Sequence, residues 1–376
     1  MIIGVDIRPL SGGRHSGVEE YTLNLLRHLF ALDQKNKYKL FYNSFGQPDE
    51  VLELFRSYHN VEICQFRYPN KFFNFSCKFL SWPRIDQLVK PVDLFFMPNM
   101  LFSAFSAECR QVVTFHDLSY LFFPQFYSTK RRWWHRAVDP RHLAERAEKI
   151  IAVSNSTKID LIDYFGVADD KVTVVHSGVD LTTTSEDLTA VKRRYNLPAE
   201  FILHLGVIEP RKNVIGLVAA FEKIKARTNI PHKLVLAGSP GWLYRKIYAR
   251  VKKSPVANDI MLLGFIDHRH KSALYKLADL FVFPSFYEGF GFPTLEAMKY
   301  ETPVVTSPIS SLPEICGTAA LYADPYDVNE LAEVIQQGLQ DKTLRKKLVT
   351  EGLKQVEKFN WEKSARETLA VFESLA

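Results

Sequence analysis

Short apolar runs recur along the chain at residues 2–7, 39–42, 61–66, 92–97, 112–115, 150–153 and 172–175, separated by polar and amphipathic stretches. Runs of four to six residues, rich in Val, Ile and Phe, predict buried strands rather than helices. Between the first two, residues 18–32 place Tyr21, Leu25, Leu26 and Leu29 on one face, the period of a helix. The second half repeats the scheme with runs at 201–205, 233–237, 260–263, 280–283 and 303–306. Strands alternating with helices predict parallel, doubly wound sheets, an α/β architecture. The chain is long enough for two such domains at 376 residues. Residues 181–199 open on a polar, threonine-rich run and predict the linker, so the first domain covers 1–180 and the second 200–360. Residues 361–376 predict a last amphipathic helix.

The densest candidate chemistry follows the run that begins at Phe281. That run continues to Phe286 and is followed by Glu288-Gly-Phe-Gly-Phe-Pro-Thr-Leu-Glu296. Gly289 and Gly291 free the backbone for a tight turn, and Pro293 suits the first turn of a helix. Glu288 is therefore expected at the carboxyl edge of a sheet, where open α/β sheets bind ligands. The amides of Gly289, Phe290 and Gly291 would point from a helix N-terminus, a site for phosphate. Glu296 falls about one turn further on, so the two carboxylates can flank one molecule. A phosphate-bearing ligand with hydroxyls at both ends, such as a nucleotide sugar, fits them.

This stretch, placed between strand and helix, resembles the two-glutamate signature of the retaining glycosyltransferases of family 4, also called group 1. The resemblance covers nearly the whole chain. It implies the GT-B fold, two Rossmann-like doubly wound domains facing across a cleft, with residues 361–376 crossing back to the first. A second matching segment is Gly206-Val-Ile-Glu-Pro-Arg211-Lys212-Asn213. It implies that Lys212 meets the donor diphosphate. Relatives often carry an arginine directly after the strand glycine, where this chain has Val207; Arg211 is the expected second cation. The glycine-rich loop ending at Gly17 resembles the family's phosphate-side loop. His116, in Thr114-Phe-His-Asp117, resembles its cleft histidine, and Ile266 lies where the family holds the nucleobase. By the same resemblance Glu288 contacts the transferred sugar and Glu296 the ribose.

The expected activity is transfer of a hexose from a sugar nucleotide to a glycan or lipid-diphosphate-linked acceptor. The Val-Asp-Ile-Arg start, the His-Asp pair and Glu-Pro-Arg-Lys-Asn most resemble mannosyltransferases of bacterial polysaccharide assembly such as O-antigen synthesis. GDP-mannose is thus the favoured donor, with a UDP- or dTDP-sugar donor, or a GT-B-fold epimerase or phosphorylase, as alternatives. No Asp-x-Asp pair stands in a convincing loop, so neither an essential metal nor a cofactor is expected.

Composition narrows the setting. Hydrophobic residues make up 47% and charged residues 24%, as in ordinary globular proteins. No run approaches the roughly eighteen apolar residues that span a bilayer. The start at Met1 lacks a basic leader. Cys64, Cys77, Cys109 and Cys316 show no paired spacing, which points to a reducing cytoplasm rather than to disulfides or zinc. The net charge of +6 does not indicate a nucleic-acid binder, and nucleic acid does not account for the paired glutamates. The surplus is concentrated, with 14 Lys and Arg against 9 Asp and Glu over residues 51–150. There, residues 70–82 mix aromatics with lysine, and Arg131, Arg132, Trp133, Trp134 and Arg136 are packed into one short segment. Either that segment is a solvated helix with its tryptophans in the core, or it is a patch for an anionic membrane at the inner face of the cell membrane.

Overall fold

The computed structural model describes residues 1–12, 17–45, 50–179 and 187–376. Residues 13–16 of the glycine-rich loop, residue 180 and residues 181–186 of the predicted linker lie outside them. Two compact units emerge. The first comprises Met1–Leu118, Lys130–Gly178 and Phe359–Ala376, and the second Ser119–Thr129 and Val179–Lys358. Within the predicted linker, Leu188–Arg194 forms a helix that packs on the helix Lys271–Leu277 of the second unit. Asp187 caps it by accepting from the Thr189 amide.

The first unit is built on strands β1 (Ile2–Asp6), β2 (Lys37–Asn43), β3 (Val61–Phe66), β4 (Leu94–Met97), β5 (Arg110–Phe115), β6 (Lys149–Ala152) and β7 (Val172–Val174). They form one parallel sheet in the order β3-β2-β1-β4-β5-β6-β7. The second unit holds β8 (Phe201–Leu205), β9 (Lys233–Ala237), β10 (Ile260–Gly264), β11 (Leu280–Phe283), β12 (Val304–Thr306) and β13 (Ala320–Tyr322). Their order is β10-β9-β8-β11-β12-β13, again all parallel. The central strands β4, β8 and β11 are buried along their whole length, which is why they read as continuous apolar runs. Two details depart from the sequence pattern. The strand that begins at Leu280 stops at Phe283, because Pro284 has no amide to donate to a neighbouring strand. And Ala-Leu-Tyr of β13 is too short to stand out as an apolar run.

Helices cover both sheets. In the second unit Val214–Arg227 presents Leu217, Val218, Phe221 and Ile224 to a core shared with Leu280, Val282, Leu331 and Ile335. Burying each such side chain contributes roughly 1.5–3 kcal/mol. In the first unit the last helix, Trp361–Glu373, lies along the helix Gly17–Leu32. Trp361 is buried with its ring 6.0 Å from that of Tyr21. Gly178, after β7, passes so close that a Cβ there would sit 2.2 Å from the Trp361 amide nitrogen. Only glycine lets the two backbone segments meet.

In each sheet the chain starts at a central strand, winds to one edge and then returns to build the other side. The order reverses between β1 and β4 and again between β8 and β11. Crevices outside the carboxyl ends of strands at such reversals are where doubly wound folds hold ligands.

Candidate active site

Strands β8 and β11 are direct neighbours, with Ile202 opposite Leu280 and Leu203 opposite Phe281. The segments that leave their carboxyl ends must therefore meet. After β8 the chain forms the turn Pro210–Lys212 and then the helix Val214–Arg227. Asn213 makes the join in the left-handed region, φ 53°, which Asn tolerates, and its side chain accepts from the Gly216 amide. After β11 the chain reaches Glu288 and the helix Phe292–Lys299. The two segments are stitched together by hydrogen bonds: the Phe286 amide donates to Arg211 O at 2.9 Å, and the Arg211 side chain donates through Nη1 to Tyr287 O at 2.7 Å.

This stitching brings four charges into one buried cluster. Lys212 Nζ donates to Glu288 Oε1 at 2.6 Å, and Arg211 Nη1 lies 3.1 Å from Glu288 Oε2. Arg211 Nη2 is 3.0 Å from Glu209 Oε1. The Lys212 ammonium also stands over the Phe283 ring, 4.7 Å from its centroid. Burial by itself would raise the Glu288 carboxyl, but the Arg211 and Lys212 charges overcome it and hold the group down at about 2. Glu288 is thus a fixed anion at neutral pH. Burial raises Glu209 despite Arg211. Burial and the adjacent Arg211 draw the Lys212 ammonium down, against the pull of the two carboxylates.

The loop carrying Glu288 is rigidly framed. Its amide donates to Ser310 Oγ at 2.9 Å, and Ser311 Oγ lies 2.9 Å from the carbonyl oxygens of both Glu288 and Phe290. Gly291 adopts φ 106°, and a Cβ on it would come 2.9 Å from Leu312 Cδ2. Glu296, in the following helix, forms a separate ion pair: Lys271 Nζ donates to Oε1 at 2.5 Å and the Tyr275 hydroxyl to Oε2 at 2.7 Å. Burial would raise Glu296, yet Lys271 and Tyr275 leave it below the ordinary carboxylate value. Lys271 and Tyr275 belong to the helix Lys271–Leu277, which follows the loop after β10 where Ile266 is buried.

The remaining residues singled out by sequence lie in the first unit. Gly17 opens the helix Gly17–Leu32 and is exposed. His116 stands at the carboxyl end of β5, with Nε2 2.9 Å from Pro98 O. A carbonyl only accepts, so Nε2 carries the proton and Nδ1 is left as an acceptor. The Tyr21 ring meets the imidazole edge-on at 4.7 Å, and burial lowers its pKa, so His116 is neutral at pH 7. On the helix Thr129–Val138, Arg131, Arg132, Trp133 and Arg136 are exposed. Trp134 instead turns edge-on to Phe102 at 6.0 Å, so the five residues do not share one face. Among the described residues no group of three or more His, Cys, Asp or Glu is placed to hold a metal ion, and no helix is long and apolar enough to cross a membrane.

Comparison with known proteins accounts for this arrangement. Residues 188–355 match the family described as glycosyl transferases group 1, and residues 15–183 the one described as glycosyltransferase family 4. The chain is 33% identical over 271 residues to O-antigen chain mannosyltransferase B of Escherichia coli, a match covering 71% of each protein. The chain belongs to the group 1, family 4 glycosyltransferases. This glycosyltransferase is also 34% identical over 238 residues to the serotype-specific mannosyltransferase WbdA of E. coli, covering 61% of its own length and 29% of WbdA. Its fold is similar to that of sucrose-phosphate synthase from Thermosynechococcus elongatus, with a TM-score of 0.77 at 20% identity over 100% of this chain and 99% of that one. Two Rossmann-like parallel-sheet domains of this kind constitute the GT-B fold.

Three side chains of these two buried ion-pair clusters have no clear signal in the sequence. Glu209 lies inside the recognised segment, and its place two residues before Arg211 is the only signal for it. Lys271 and Tyr275 stand four residues apart on one helix face, but nothing in the sequence ties them to Glu296. Val207, where the resemblance implies a cation, is 42% exposed, and Arg211 and Lys212 are ion-paired with Glu288.

Proposed function

We propose that this glycosyltransferase moves a mannosyl residue from GDP-mannose to a glycan or lipid-diphosphate-linked acceptor, with retention of anomeric configuration. The observation that carries the reading is the buried Arg211–Lys212–Glu288–Glu209 cluster at the β8/β11 reversal. A departing nucleoside diphosphate gains negative charge as its bond to the sugar breaks. Arg211, Lys212 and the amides of Gly289, Phe290 and Gly291 are the donors that stabilise it, already oriented and largely desolvated. They fill the electrostatic role that a divalent cation would otherwise have, so neither metal nor cofactor is required.

Glu288 has no proton to give at neutral pH, and two cations restrain it as a nucleophile. Its role is to accept hydrogen bonds from the sugar hydroxyls and to offset positive charge at the anomeric carbon. The acceptor oxygen then bonds to that carbon on the face the diphosphate leaves, the carbon–oxygen bond to phosphate breaks, and the acceptor proton passes to the phosphate oxygen. His116, neutral and with Nδ1 as acceptor, orients a sugar hydroxyl. The family resemblance assigns Gly17 to the donor phosphates; Glu296 binds the ribose hydroxyls through its remaining lone pairs, and the backbone around Ile266 holds the base.

Mannose as the transferred sugar rests on the two E. coli mannosyltransferases, which also argue against an epimerase. With a lipid-linked acceptor, the enzyme works at the cytoplasmic face of the membrane, where Arg131, Arg132 and Arg136 meet anionic headgroups. The test is turnover of GDP-mannose, UDP-glucose and a dTDP-hexose with mannose-terminated oligosaccharides, and NMR of the product anomer. Selective release of GDP and an α-linked product support the reading. A β-linked product overturns retention, selective use of a UDP- or dTDP-sugar overturns the donor, and conversion of the nucleotide sugar without acceptor restores the epimerase.

A further inference from the structure

The helix Asn70–Leu80 is amphipathic the wrong way round for a water-facing surface. Its buried side is small apart from one ring: Phe73, Ser76 and Cys77. Phe72, Phe75 and Phe79 face outward at 58%, 55% and 62% exposure, and their spacing of three and four residues makes one continuous stripe. Phe75 and Phe79 already touch, with ring centroids 4.8 Å apart. Leu80 and Trp82 extend the stripe at 63% and 56% exposure. Trp82 is held beside the helix end because Ser76 Oγ donates to its carbonyl at 2.5 Å. The helix is firmly seated, with Phe73 stacked on Phe41 at 5.8 Å, so the stripe is a built feature of the first unit. Monomeric proteins rarely leave so many large apolar groups together in water.

The charges around the stripe decide what covers it. Residues 63–85 contain Arg67, Lys71, Lys78 and Arg84 and no Asp or Glu. Residues 118–138 contain Lys130, Arg131, Arg132 and Arg136 and again no Asp or Glu. The two segments adjoin, since Lys78 Nζ lies 3.7 Å from Oδ2 of Asp139, the residue just beyond the second. Trp133 of the second segment is 64% exposed. A stripe of phenylalanine rimmed mainly by cations, with Asp139 beside Lys78 as the exception, complements an apolar layer beneath a sheet of negative charge, which describes an anionic bilayer. A second copy of the chain would set these cations against themselves.

We propose that Phe72, Phe75, Phe79, Leu80 and Trp82 insert into the interface of an anionic membrane, while the cations of both segments engage lipid phosphates. This deepens the proposal of a membrane-borne acceptor and rests on it only for its biological purpose. The cation patch steers the enzyme to the surface, and the aromatic stripe keeps it there when salt screens the charges.

The experiment is co-sedimentation of the full chain with phosphatidylcholine vesicles, with or without about one-third phosphatidylglycerol, over a salt series. The wild type is compared with a Phe72→Ser/Phe75→Ser/Phe79→Ser variant, and circular dichroism and melting confirm that the variant is folded. Wild type should pellet with the anionic vesicles and be only partly released by salt, with a blue shift of tryptophan emission. Each phenylalanine lost should weaken partitioning on the order of tenfold, so the triple variant should lose salt-resistant binding altogether while its turnover of GDP-mannose on a soluble acceptor stays unchanged. No wild-type binding to anionic vesicles, or equal binding by both proteins, overturns the proposal. So does a wild-type dimer in sedimentation velocity that the triple variant abolishes without any vesicle binding. Vesicle binding that persists in an enzyme unable to use any sugar nucleotide would instead count against the proposed transfer reaction alone.

Discussion

Replacing Glu288 with Gln keeps the shape of the side chain and removes its charge from between Arg211 and Lys212. Burial disfavours the carboxylate, yet the two cations hold the group at about 2 against an ordinary 4.5. A depression of that size corresponds to roughly 3 kcal/mol of stability at neutral pH. That agrees with the roughly 3–5 kcal/mol measured when one partner of a buried ion pair is removed. For a domain of the second unit's size it amounts to a fall in Tm of roughly 6–12 °C. The sign with pH follows from the direction of the shift. A depressed carboxyl contributes fully above its unfolded value near 4.5 and loses that contribution as the pH falls toward 2. Melting of wild type and Glu288→Gln at pH 7.5, 5.5 and 3 should therefore show a gap that is constant between the first two and shrinks at the third. Transfer at saturating donor should drop by at least about a hundredfold, because the group proposed to face the reacting sugar has lost its charge. A Tm change under about 2 °C at pH 7.5, or a gap that does not narrow at pH 3, would refute the electrostatic account of the cluster.

Lys212→Ala should lower kcat by roughly a hundred- to a thousandfold, since leaving-group charge grows toward the transition state; steady-state GDP release measures it, and an unchanged kcat would remove Lys212 from the reaction. Glu296→Ala should raise the KM for donor with kcat within about threefold, because a ribose contact is made equally in ground and transition states; a large loss of kcat alone would contradict the ribose assignment. Gly291→Ala, which forces a side chain into φ 106° and to within 2.9 Å of Leu312, should cost about 1–3 kcal/mol, and thermal melting that matches wild type would show that the turn is not constrained as described.

Much of the architecture was legible because the sheets are parallel and buried. Strands such as Phe201–Leu205 and Leu280–Phe283 have no water-facing side, so they stand out as unbroken apolar runs. The candidate site was legible where chemistry is local in sequence. Glu288, the glycines after it and the helix start form one motif, and Arg211 and Lys212 another. What joins the two motifs is the β8–β11 pairing, a contact across 76 residues between Lys212 and Glu288 that no local pattern encodes. The same limit explains why Glu209, Lys271 and Tyr275 were missed: each matters only through a partner supplied by the fold. Exposure was the other blind spot. Residues 70–82 read as a mixed aromatic and basic stretch, and only burial of Phe73, Ser76 and Cys77 shows that the remaining aromatics point outward. The Ser119–Thr129 segment, which groups with the second unit although it lies between strands of the first, likewise has no signature in the strand and helix pattern. Its Phe122 and Phe126 stack on Tyr287 and Phe286, at 5.5 and 5.2 Å, directly beside the Glu288 loop.

We propose that Arg211 and Lys212 hold the donor diphosphate, with Glu288 beside them at the sugar, in a GDP-mannose-dependent transferase. Isothermal titration of GDP-mannose, GDP and mannose into wild type and Lys212→Ala tests it directly. GDP and GDP-mannose should bind wild type, mannose alone should not, and Lys212→Ala should weaken both nucleotides by at least about tenfold, the loss of one charge-assisted contact. Equal affinity in the two proteins, or no binding of either nucleotide to wild type, would contradict it.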